Sequence, residues 1–309
     1  MQTVTPDLSA RVGSVLLKNP VMSASGTFGY GLEFTPFYDI SRLGAVIVKG
    51  LSLLPTPGNP PGRIVETPAG MLNAIGLQNI GVERFANDVA PRLDDAGAVY
   101  VANIYGRTIE EYEAVTRRLS EIPALAAIEL NASCPNVKEG GIAFGSNPEG
   151  LSGLTRRVRA VTSKPLWVKL SPNVSDIGAI ARAAEEAGAD AVTLINTIIG
   201  MAVNPRTRRP ILSNVTGGLS GPAVKPVALR MVWEACKAVK IPVVGIGGIQ
   251  SAADALEFLL VGAAAVQVGT ANFRNPNVCV EIIDGIREFF VREKIFRLDD
   301  YRGKLLLRE

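Results

Sequence analysis

The residues best suited to chemistry in this chain stand in one short stretch, ELNASCPN, at positions 129–136. Its thiol, Cys134, follows an apolar run and is surrounded by small polar residues. A cysteine in that setting can serve as a nucleophile, a proton acceptor, a metal ligand or simple packing. The neighbouring Asn131 adds an amide that can both donate and accept hydrogen bonds. This stretch is therefore the first candidate for a catalytic site.

The chain contains no histidine among its 309 residues. That absence removes the commonest general base, the serine–histidine and cysteine–histidine nucleophile pairs and most zinc sites. Acid–base chemistry must then come from another residue type or from a bound cofactor. The three cysteines, Cys134, Cys236 and Cys279, form no C-x-x-C pair, so neither a disulfide framework nor an iron–sulfur cluster is expected within this chain.

The overall composition is that of a soluble globular enzyme, with 47% hydrophobic and 20% charged residues. A net charge of +3 is too small to favour nucleic acid or an anionic membrane as a partner. No apolar run reaches the roughly 18 residues that span a bilayer, and the N-terminus lacks the pattern of a signal peptide. We therefore expect a cytoplasmic protein, with residues 1–309 forming one domain.

Short apolar runs alternate with amphipathic helical patterns along the chain. The runs are mostly continuous, which is typical of parallel strands covered on both faces. Eight strands are predicted, at 20–25, 45–49, 99–104, 126–131, 165–170, 191–196, 242–246 and 265–268. This alternation favours an α/β TIM (β/α)8 barrel over a doubly wound sheet, since no Gly-x-Gly-x-x-Gly turn follows the first strand.

Helical patterns occupy the sequence between several of these strands. Predicted helices lie at 108–122, 174–189, 225–240, 251–263 and 279–294. Thr108 and Glu111 have the spacing of a capping box. Ser175 is a candidate N-cap of the second helix, and Gly188 is a candidate for its end.

Long connections follow the C-terminal ends of three predicted strands, on the face where barrel active sites are built. They cover residues 50–82, 136–150 and 197–224. In the second, Gly140, Gly141 and Gly145 would allow the connection to hinge as a lid. Three long connections on one face favour a functional role over decoration of the surface.

The strand ends on that face carry amides, hydroxyls, lysines, glycines and a thiol. They are Ser23, Ser25, Lys49, Asn103, Asn131, Cys134, Lys169, Asn196, Thr197, Gly247, Gly248, Gly269 and Thr270. Glu129 is the one carboxylate close to a strand end, which disfavours both a two-carboxylate sugar hydrolase and a divalent metal site. The set suits a planar, anionic ligand rich in nitrogen and oxygen.

The last two strands end in GIGGI and VGTAN, where glycines expose backbone N–H groups that can bind a phosphate. Lys49 and Lys169 each end an apolar strand and are expected to face an anion. In this setting Cys134 is best interpreted as a base, because a partly desolvated thiol flanked by donors can accept a proton near neutral pH.

Several motifs in order along nearly the whole chain resemble class 1 dihydroorotate dehydrogenase. They are SASGTFGYG, GMLNAIGLQN, NASCPNVKEGGIAFG, VKLSPN, INTIIGM, TGGLSGPAVKPVAL, GIGGI and VGTANF. The form GMLNAIGLQN is closer to the NAD-linked subclass 1B than to the fumarate-linked subclass 1A. The quinone-linked class has serine where this chain has Cys134. Ile80 departs from the family pattern, in which proline is expected.

The resemblance implies oxidation of dihydroorotate to orotate in pyrimidine (UMP) biosynthesis, with FMN in the barrel mouth. Cys134 would remove the C5 proton while FMN takes hydride from C6. The residues implied for FMN are Ser25, Lys49, Gly50, Asn103, Asn131, Lys169, Ile195, Gly221, Gly247, Gly248, Gly269 and Thr270. Those implied for the substrate are Lys49, Asn73, Ala74, Ile75, Gly76, Leu77, Asn131, Asn196 and Thr197. No metal is expected.

The resemblance also implies a partner that carries FAD and a [2Fe–2S] cluster and passes electrons to NAD. Two catalytic and two electron-transfer chains would form a heterotetramer around a catalytic homodimer. The alternatives are a fumarate-linked 1A homodimer, a dihydropyrimidine or dihydrouridine reductase, and a phosphate-binding barrel without redox activity.

Overall fold

Eight parallel strands form the centre of the fold, at the places where the sequence predicts them. The computed structural model describes residues 5–132 and 144–307. Its strands are β1 (Ala10–Val12), β2 (Val15–Leu17), β3 (Val21–Ser23), β4 (Val46–Ile47), β5 (Ile64–Thr67), β6 (Gly70–Asn73), β7 (Tyr100–Ile104), β8 (Leu125–Asn131), β9 (Leu166–Lys169), β10 (Ala191–Leu194), β11 (Ile198–Met201), β12 (Val203–Asn204), β13 (Arg209–Pro210), β14 (Thr216–Ser220), β15 (Val243–Ile246) and β16 (Ala265–Val268). The eight-stranded sheet has the order β3-β16-β15-β10-β9-β8-β7-β4.

Hydrogen bonds between the two end strands of this order close the sheet into a barrel. β3 and β4 meet through a parallel bridge between Met22 and Ala45. The Ser23 amide donates to the Ala45 carbonyl at 3.2 Å, and the Gly44 amide donates to the Val21 carbonyl at 2.8 Å. Each barrel strand is therefore bonded on both sides, and the predicted TIM barrel is confirmed.

Helices cover the outside of the barrel. They are α1 (Val82–Arg84), α2 (Ile109–Ser120), α3 (Pro148–Arg159), α4 (Ile177–Glu186), α5 (Lys225–Ala238), α6 (Ala252–Leu260) and α7 (Val278–Glu293). The predicted helices correspond to α2 and α4–α7, whereas α3 was not predicted. Asn147 caps α3 by accepting a hydrogen bond from the Gly150 amide at 2.8 Å. The prediction that the connection after β8 extends to residue 150 is therefore wrong in its last three residues.

The ends of two helices show which of the predicted caps form. Thr108 caps α2 by accepting from the Glu111 amide at 3.3 Å, which confirms one half of the predicted capping box. The Glu111 side chain accepts from the Arg107 amide at 2.7 Å and not from that of Thr108. At α4 the prediction of Ser175 is wrong, because Asp176 is the cap and accepts from the Ala179 amide at 2.9 Å. A carboxylate accepts strongly at a helix N-terminus, where it also interacts favourably with the helix dipole.

The two longest connections predicted from the sequence build a second sheet together. β5 and β6 come from the connection after β4, while β11 and β14 come from the one after β10. The four strands pair antiparallel in the order β11-β14-β6-β5. This sheet places the two connections next to each other beside the barrel mouth, so neither is an isolated loop.

Burial on both faces explains why the barrel strands have continuous apolar sequences. In β9, Leu166, Trp167 and Val168 are all fully buried, although successive side chains point to opposite faces of the sheet. The inward-facing ones fill the barrel, and the outward-facing ones pack under the helices. Within the described residues, no helix is both long and apolar enough to cross a membrane.

We expect Gly245→Ala to destabilise the barrel. A Cβ at Gly245 in β15 would lie 2.5 Å from the ring of Phe258 on α6, so strand and helix would have to separate. Overpacking of this kind costs about 1–3 kcal/mol, measured as a lower midpoint of denaturant unfolding. The matched control is Gly153→Ala in α3, where a Cβ meets no atom within 4 Å. Because alanine favours the helix, the control should be stabilised by about 0.5–1 kcal/mol. Equal midpoints for the two variants would contradict the tight contact between β15 and α6.

Candidate active site

Polar side chains from several strands meet at the C-terminal mouth of the barrel. Asn131 and Lys169 are register partners at the ends of β8 and β9. The Lys169 ammonium donates to the Ser25 hydroxyl at 3.1 Å, although the two residues are 144 positions apart. Lys169 is almost fully buried, so its charge is held in a site of low polarity, where electrostatic interactions are strong.

Asn131 is fixed through both its side chain and its backbone. The Asn196 side-chain amide donates to Asn131 Oδ1 at 3.2 Å. The hydroxyl of Tyr112, from α2, donates to the Asn131 carbonyl at 2.9 Å. Asn196 is itself oriented, because its Oδ1 accepts from the Thr197 amide at 2.8 Å. The ends of β8 and β10 thus form a connected row of amides with defined orientations.

A buried carboxylate lies one layer below this row. Glu129 is fully buried and accepts from Asn103 Nδ2 and from Gln267 Nε2, both at 2.7 Å. Lys169 Nζ lies 3.8 Å from the same carboxylate oxygen that Asn103 contacts. The sequence marks Glu129 only as the one carboxylate close to a strand end, and it predicts no role for Gln267. The sequence does contain a signal for these two residues, since each is a charged or polar residue within an otherwise apolar strand. Such a residue needs a hydrogen-bond partner when it is buried.

Lys49 follows β4 and is half-buried. Burial lowers the pKa of Lys49, and the nearby Arg63 lowers it further, while Glu33 opposes the shift. The Lys49 amide donates to the Gly29 carbonyl at 2.8 Å. The next residue, Gly50, is so close to Asn103 that a Cβ would lie 2.8 Å from Asn103 Oδ1. Gly50 and Asn103, both predicted to bind the cofactor, are therefore neighbours.

The glycines predicted to bind a phosphate are brought together by tight turns. Gly221 and Gly248 have φ angles of 95° and 75°, which favour glycine. A Cβ at Gly248 would lie 2.9 Å from the Gly221 carbonyl, so the two turns are in contact. The Thr270 hydroxyl, after β16, donates to the Ser220 hydroxyl at 2.8 Å. These turns expose backbone N–H groups close together, as a phosphate requires.

The remaining predicted cofactor residues lie at the same strand ends. The Ile195 amide donates to the Ile246 carbonyl at 2.9 Å. A Cβ at Gly247 would lie 3.3 Å from the Ile195 side chain. Gly269 directly follows β16 and precedes Thr270. The ends of β10, β15 and β16 are thus in direct contact.

The segment predicted to hold the substrate leaves the second sheet at the end of β6. It consists of Asn73, Ala74, Ile75, Gly76 and Leu77. Asn59 holds it by donating from its side chain to the Ala74 carbonyl at 2.8 Å and from its backbone to the Ile75 carbonyl at 2.9 Å. The Asn73 side chain donates to the Gly218 carbonyl of β14 at 3.3 Å. This segment is fixed to its own sheet, whose β14 strand leads directly to Gly221.

The predicted base, Cys134, lies outside the described residues, as do Gly140 and Gly141 of the predicted lid. Two described residues on either side of this stretch, Ala132 and Gly145, are in contact, since a Cβ at Gly145 would lie 2.5 Å from the Ala132 carbonyl. Ala132 directly follows Asn131, so this contact lies next to the amide row at the mouth.

The donors at the mouth match a planar anionic ligand with a phosphate. The lysines, amides and hydroxyls can bind ring oxygens and nitrogens, and the glycine turns can bind phosphate oxygens. In the part of the chain that is described, no three His, Cys, Asp or Glu side chains are grouped as a metal ion would require. The arrangement is therefore suited to binding and orienting a planar, anionic ligand.

Comparison with known proteins identifies the same family as the motifs. Residues 7–290 match the family model described as dihydroorotate dehydrogenase. A relative from Geotalea daltonii, named dihydroorotate dehydrogenase B (NAD(+)), catalytic subunit, is 53% identical over 300 residues, which cover 97% of this chain and 98% of that protein. Proteins of the same name from Trichlorobacter lovleyi and Bacteroides fragilis are 55% and 53% identical, each over 97% of this chain and 99% of the relative.

We expect Lys49 to lose its proton at a lower pH than an ordinary lysine. The measurement is competitive labelling of amines with acetic anhydride over a pH series, because only the neutral amine reacts. Lys49 should become reactive below the usual lysine value of 10.5, since burial and Arg63 disfavour its charged form. Lys225 is the internal control, because its hydrogen bond to Asp254 raises its pKa and should delay its labelling. In Arg63→Gln the Lys49 curve should move to higher pH. An unchanged labelling curve for Lys49 in this variant would contradict the proposed effect of Arg63 on the pKa of Lys49.

Proposed function

The chain belongs to the dihydroorotate dehydrogenase family, and on that premise we propose that it is the catalytic subunit of an NAD+-linked dihydroorotate dehydrogenase. Its reaction is the oxidation of dihydroorotate to orotate in pyrimidine (UMP) biosynthesis. The observation that carries the proposal is 53–55% identity, over almost the full length of both chains, to proteins that bear this name. The relatives' names include NAD(+), which favours this acceptor over fumarate.

Membership of the family implies a flavin, and we propose that this flavin is FMN. The lysines and amides at the mouth fit the ring: Lys169 contacts Ser25 and is the register partner of Asn131, while Asn103 lies against Gly50, which follows Lys49. The turns at Gly221 and Gly248, where a Cβ would fill the space between them, fit the phosphate. When bound, FMN supplies the acceptor for the hydride that leaves C6 of dihydroorotate.

The chain's own residues bind the substrate and remove a proton. Orotate is a planar acid with ring amides, and the side chains of Asn131 and Asn196 can pair with such donors and acceptors. Lys49 supplies a cation for the substrate carboxylate. Thr197 and the segment Asn73–Leu77 complete the proposed substrate site. Cys134, three residues after Asn131, takes the proton from C5.

The relatives' designation as a catalytic subunit implies a partner subunit. We propose that this partner carries FAD and a [2Fe–2S] cluster, and that two of each chain assemble around a catalytic homodimer. The three cysteines of this chain, without a C-x-x-C pair, are too few and too dispersed for such a cluster. Ile199 and Met201 on β11 and Val203 on β12 are more than half exposed, an arrangement that favours a protein interface.

We expect Cys134→Ser to lower turnover by two or more orders of magnitude near neutral pH, because a hydroxyl is a far weaker base than a thiolate. The residual activity should rise towards higher pH than in the wild type. FMN content, measured from the visible spectrum, should stay the same. The reason is that the proposed role of Cys134 is to remove a proton and not to hold the cofactor. Wild-type turnover at neutral pH would refute the role of Cys134, and a wild-type chain that takes up no FMN would refute the flavin proposal itself.

We expect the full chain to pass electrons from dihydroorotate to NAD+ only when the FAD and iron–sulfur partner is present. The measurement is orotate formation, with the purified chain alone, with the partner added, and with fumarate in place of NAD+. In the assays that contain NAD+, NADH formation is followed as well. Cys134→Ser with the partner serves as the control for electron transfer that does not depend on dihydroorotate. Rapid reduction of fumarate by the chain alone would show a 1A enzyme instead.

A further inference from the structure

Glu129 has no role in the proposed chemistry, yet it is a charged group enclosed at the centre of the barrel. It stands two residues before Asn131 on β8, so both side chains point to the same face, one layer apart. Asn131 belongs to the mouth, and Glu129 therefore lies directly beneath it. Burying a carboxylate is costly, and an apolar residue of similar size often serves stability equally well. Its presence at this depth calls for a role beyond packing.

The hydrogen bonds of Glu129 show that it acts as an acceptor on both oxygens. Asn103 donates to Oε1 and Gln267 donates to Oε2, each at 2.7 Å. A protonated acid would donate from one of these oxygens, so the arrangement is that of a carboxylate. Because Asn103 points its Nδ2 down to Glu129, its Oδ1 points towards Gly50, which lies at the strand-end mouth. Glu129 thus determines that Asn103 presents an acceptor to this side of the site.

Glu129 also affects the lysine that faces the cofactor site. Lys169 Nζ lies 3.8 Å from Glu129 Oε1 and 3.1 Å from the Ser25 hydroxyl. Both charged groups are buried, so water screens their interaction weakly. The carboxylate holds the ammonium in place and offsets part of the positive potential that Lys169 would otherwise exert on a ligand at the mouth.

We propose that Glu129 is a positioning residue for the flavin: it orients Asn103 and Lys169 from beneath and keeps the reduction potential of the bound cofactor low. This inference rests on the proposed function, since it requires a flavin at the mouth. A negative charge near a bound flavin would disfavour the addition of electrons to it, whereas Lys169 alone would favour that addition. A low potential suits a cofactor that must pass its electrons on to NAD+ through a partner.

The test is the midpoint potential of the FMN-loaded full chain, measured by spectroscopic titration with a reference dye, for the wild type and Glu129→Gln. The substitution keeps the size of the side chain and removes its charge. We expect the equilibrium to shift at least tenfold towards the reduced cofactor, which is about 30 mV for a two-electron couple. Thermal unfolding and the Kd for FMN are measured in parallel. A carboxylate with a purely structural role would change those two quantities and leave the potential unaltered.

A swapped variant, Glu129→Gln with Gln267→Glu, separates charge from orientation. The amide introduced on β8 can still accept from Asn103 while donating to the carboxylate introduced on β16, so the orientation of Asn103 is kept. In the wild type, Gln267 contacts Oε2 of Glu129, whereas Lys169 lies near Oε1. A carboxylate at position 267 would therefore be farther from Lys169 than the carboxylate of Glu129 is. We expect the potential of this variant to lie between those of the wild type and Glu129→Gln, and its Kd for FMN to match the wild type. The swapped variant also provides the comparison if Glu129→Gln does not fold.

The outcomes distinguish this inference from the function on which it rests. A wild-type chain that binds no FMN would refute the proposed function. A wild-type potential in folded, FMN-loaded Glu129→Gln would refute the role of Glu129 and leave the function standing. If Glu129→Gln does not fold, a wild-type potential in the swapped variant would likewise refute the role of Glu129 and leave the function standing.

Discussion

The closure of the barrel between β3 and β4 is the constraint on which the rest of the structure depends. The seam is tight, because a Cβ at Gly44 would overlap the carbonyl oxygen of Asn19. Asn19 is buried there and ties the two sides together, donating to the Arg42 carbonyl at 2.7 Å and accepting from the Val21 amide at 3.1 Å. Once this seam is closed, all eight strands end in one ring, and the polar groups at those ends are forced into one small volume.

That small volume explains the electrostatics of the site. Lys169, Glu129, Asn103 and Gln267 come from four strands, and each would be costly to bury alone. Hydrogen bonds and an ion pair link them inside the barrel and offset part of that cost. The same enclosure that makes an unpaired charge costly makes each paired charge effective on a ligand, since water screens it weakly. Stability and chemistry are therefore coupled in these residues.

The second sheet shows how the long connections contribute to this arrangement. β6 and β14 arise from connections far apart in the sequence, yet their pairing fixes the substrate segment after Asn73 and leads the chain directly into Gly221. The proposed substrate site and phosphate site are thus joined by one antiparallel pairing. Such a frame can hold both ligands in a defined relation, because the two connections are hydrogen-bonded to each other.

The sequence by itself determined the strands, most of the helices and the family. Continuous apolar runs such as PLWVKL are a local signal of buried parallel strands, and motifs such as GMLNAIGLQN are matched residue by residue. It also placed Lys49, Asn131 and Gly248 at strand ends, because the end of a strand is visible in the chain itself. The cap of α4 was misjudged because Ser175 and Asp176 are both good caps, and the backbone geometry decides between them.

Only the tertiary structure decided which of these residues meet. The partnership of Glu129 with Gln267, 138 positions away, leaves no local pattern, since each appears simply as a polar residue in an apolar strand. The same holds for Lys169 with Ser25 and for the pairing of β6 with β14. These contacts depend on strand order and register around the closed barrel, which are set by long-range packing and not by the neighbours of a residue in the chain.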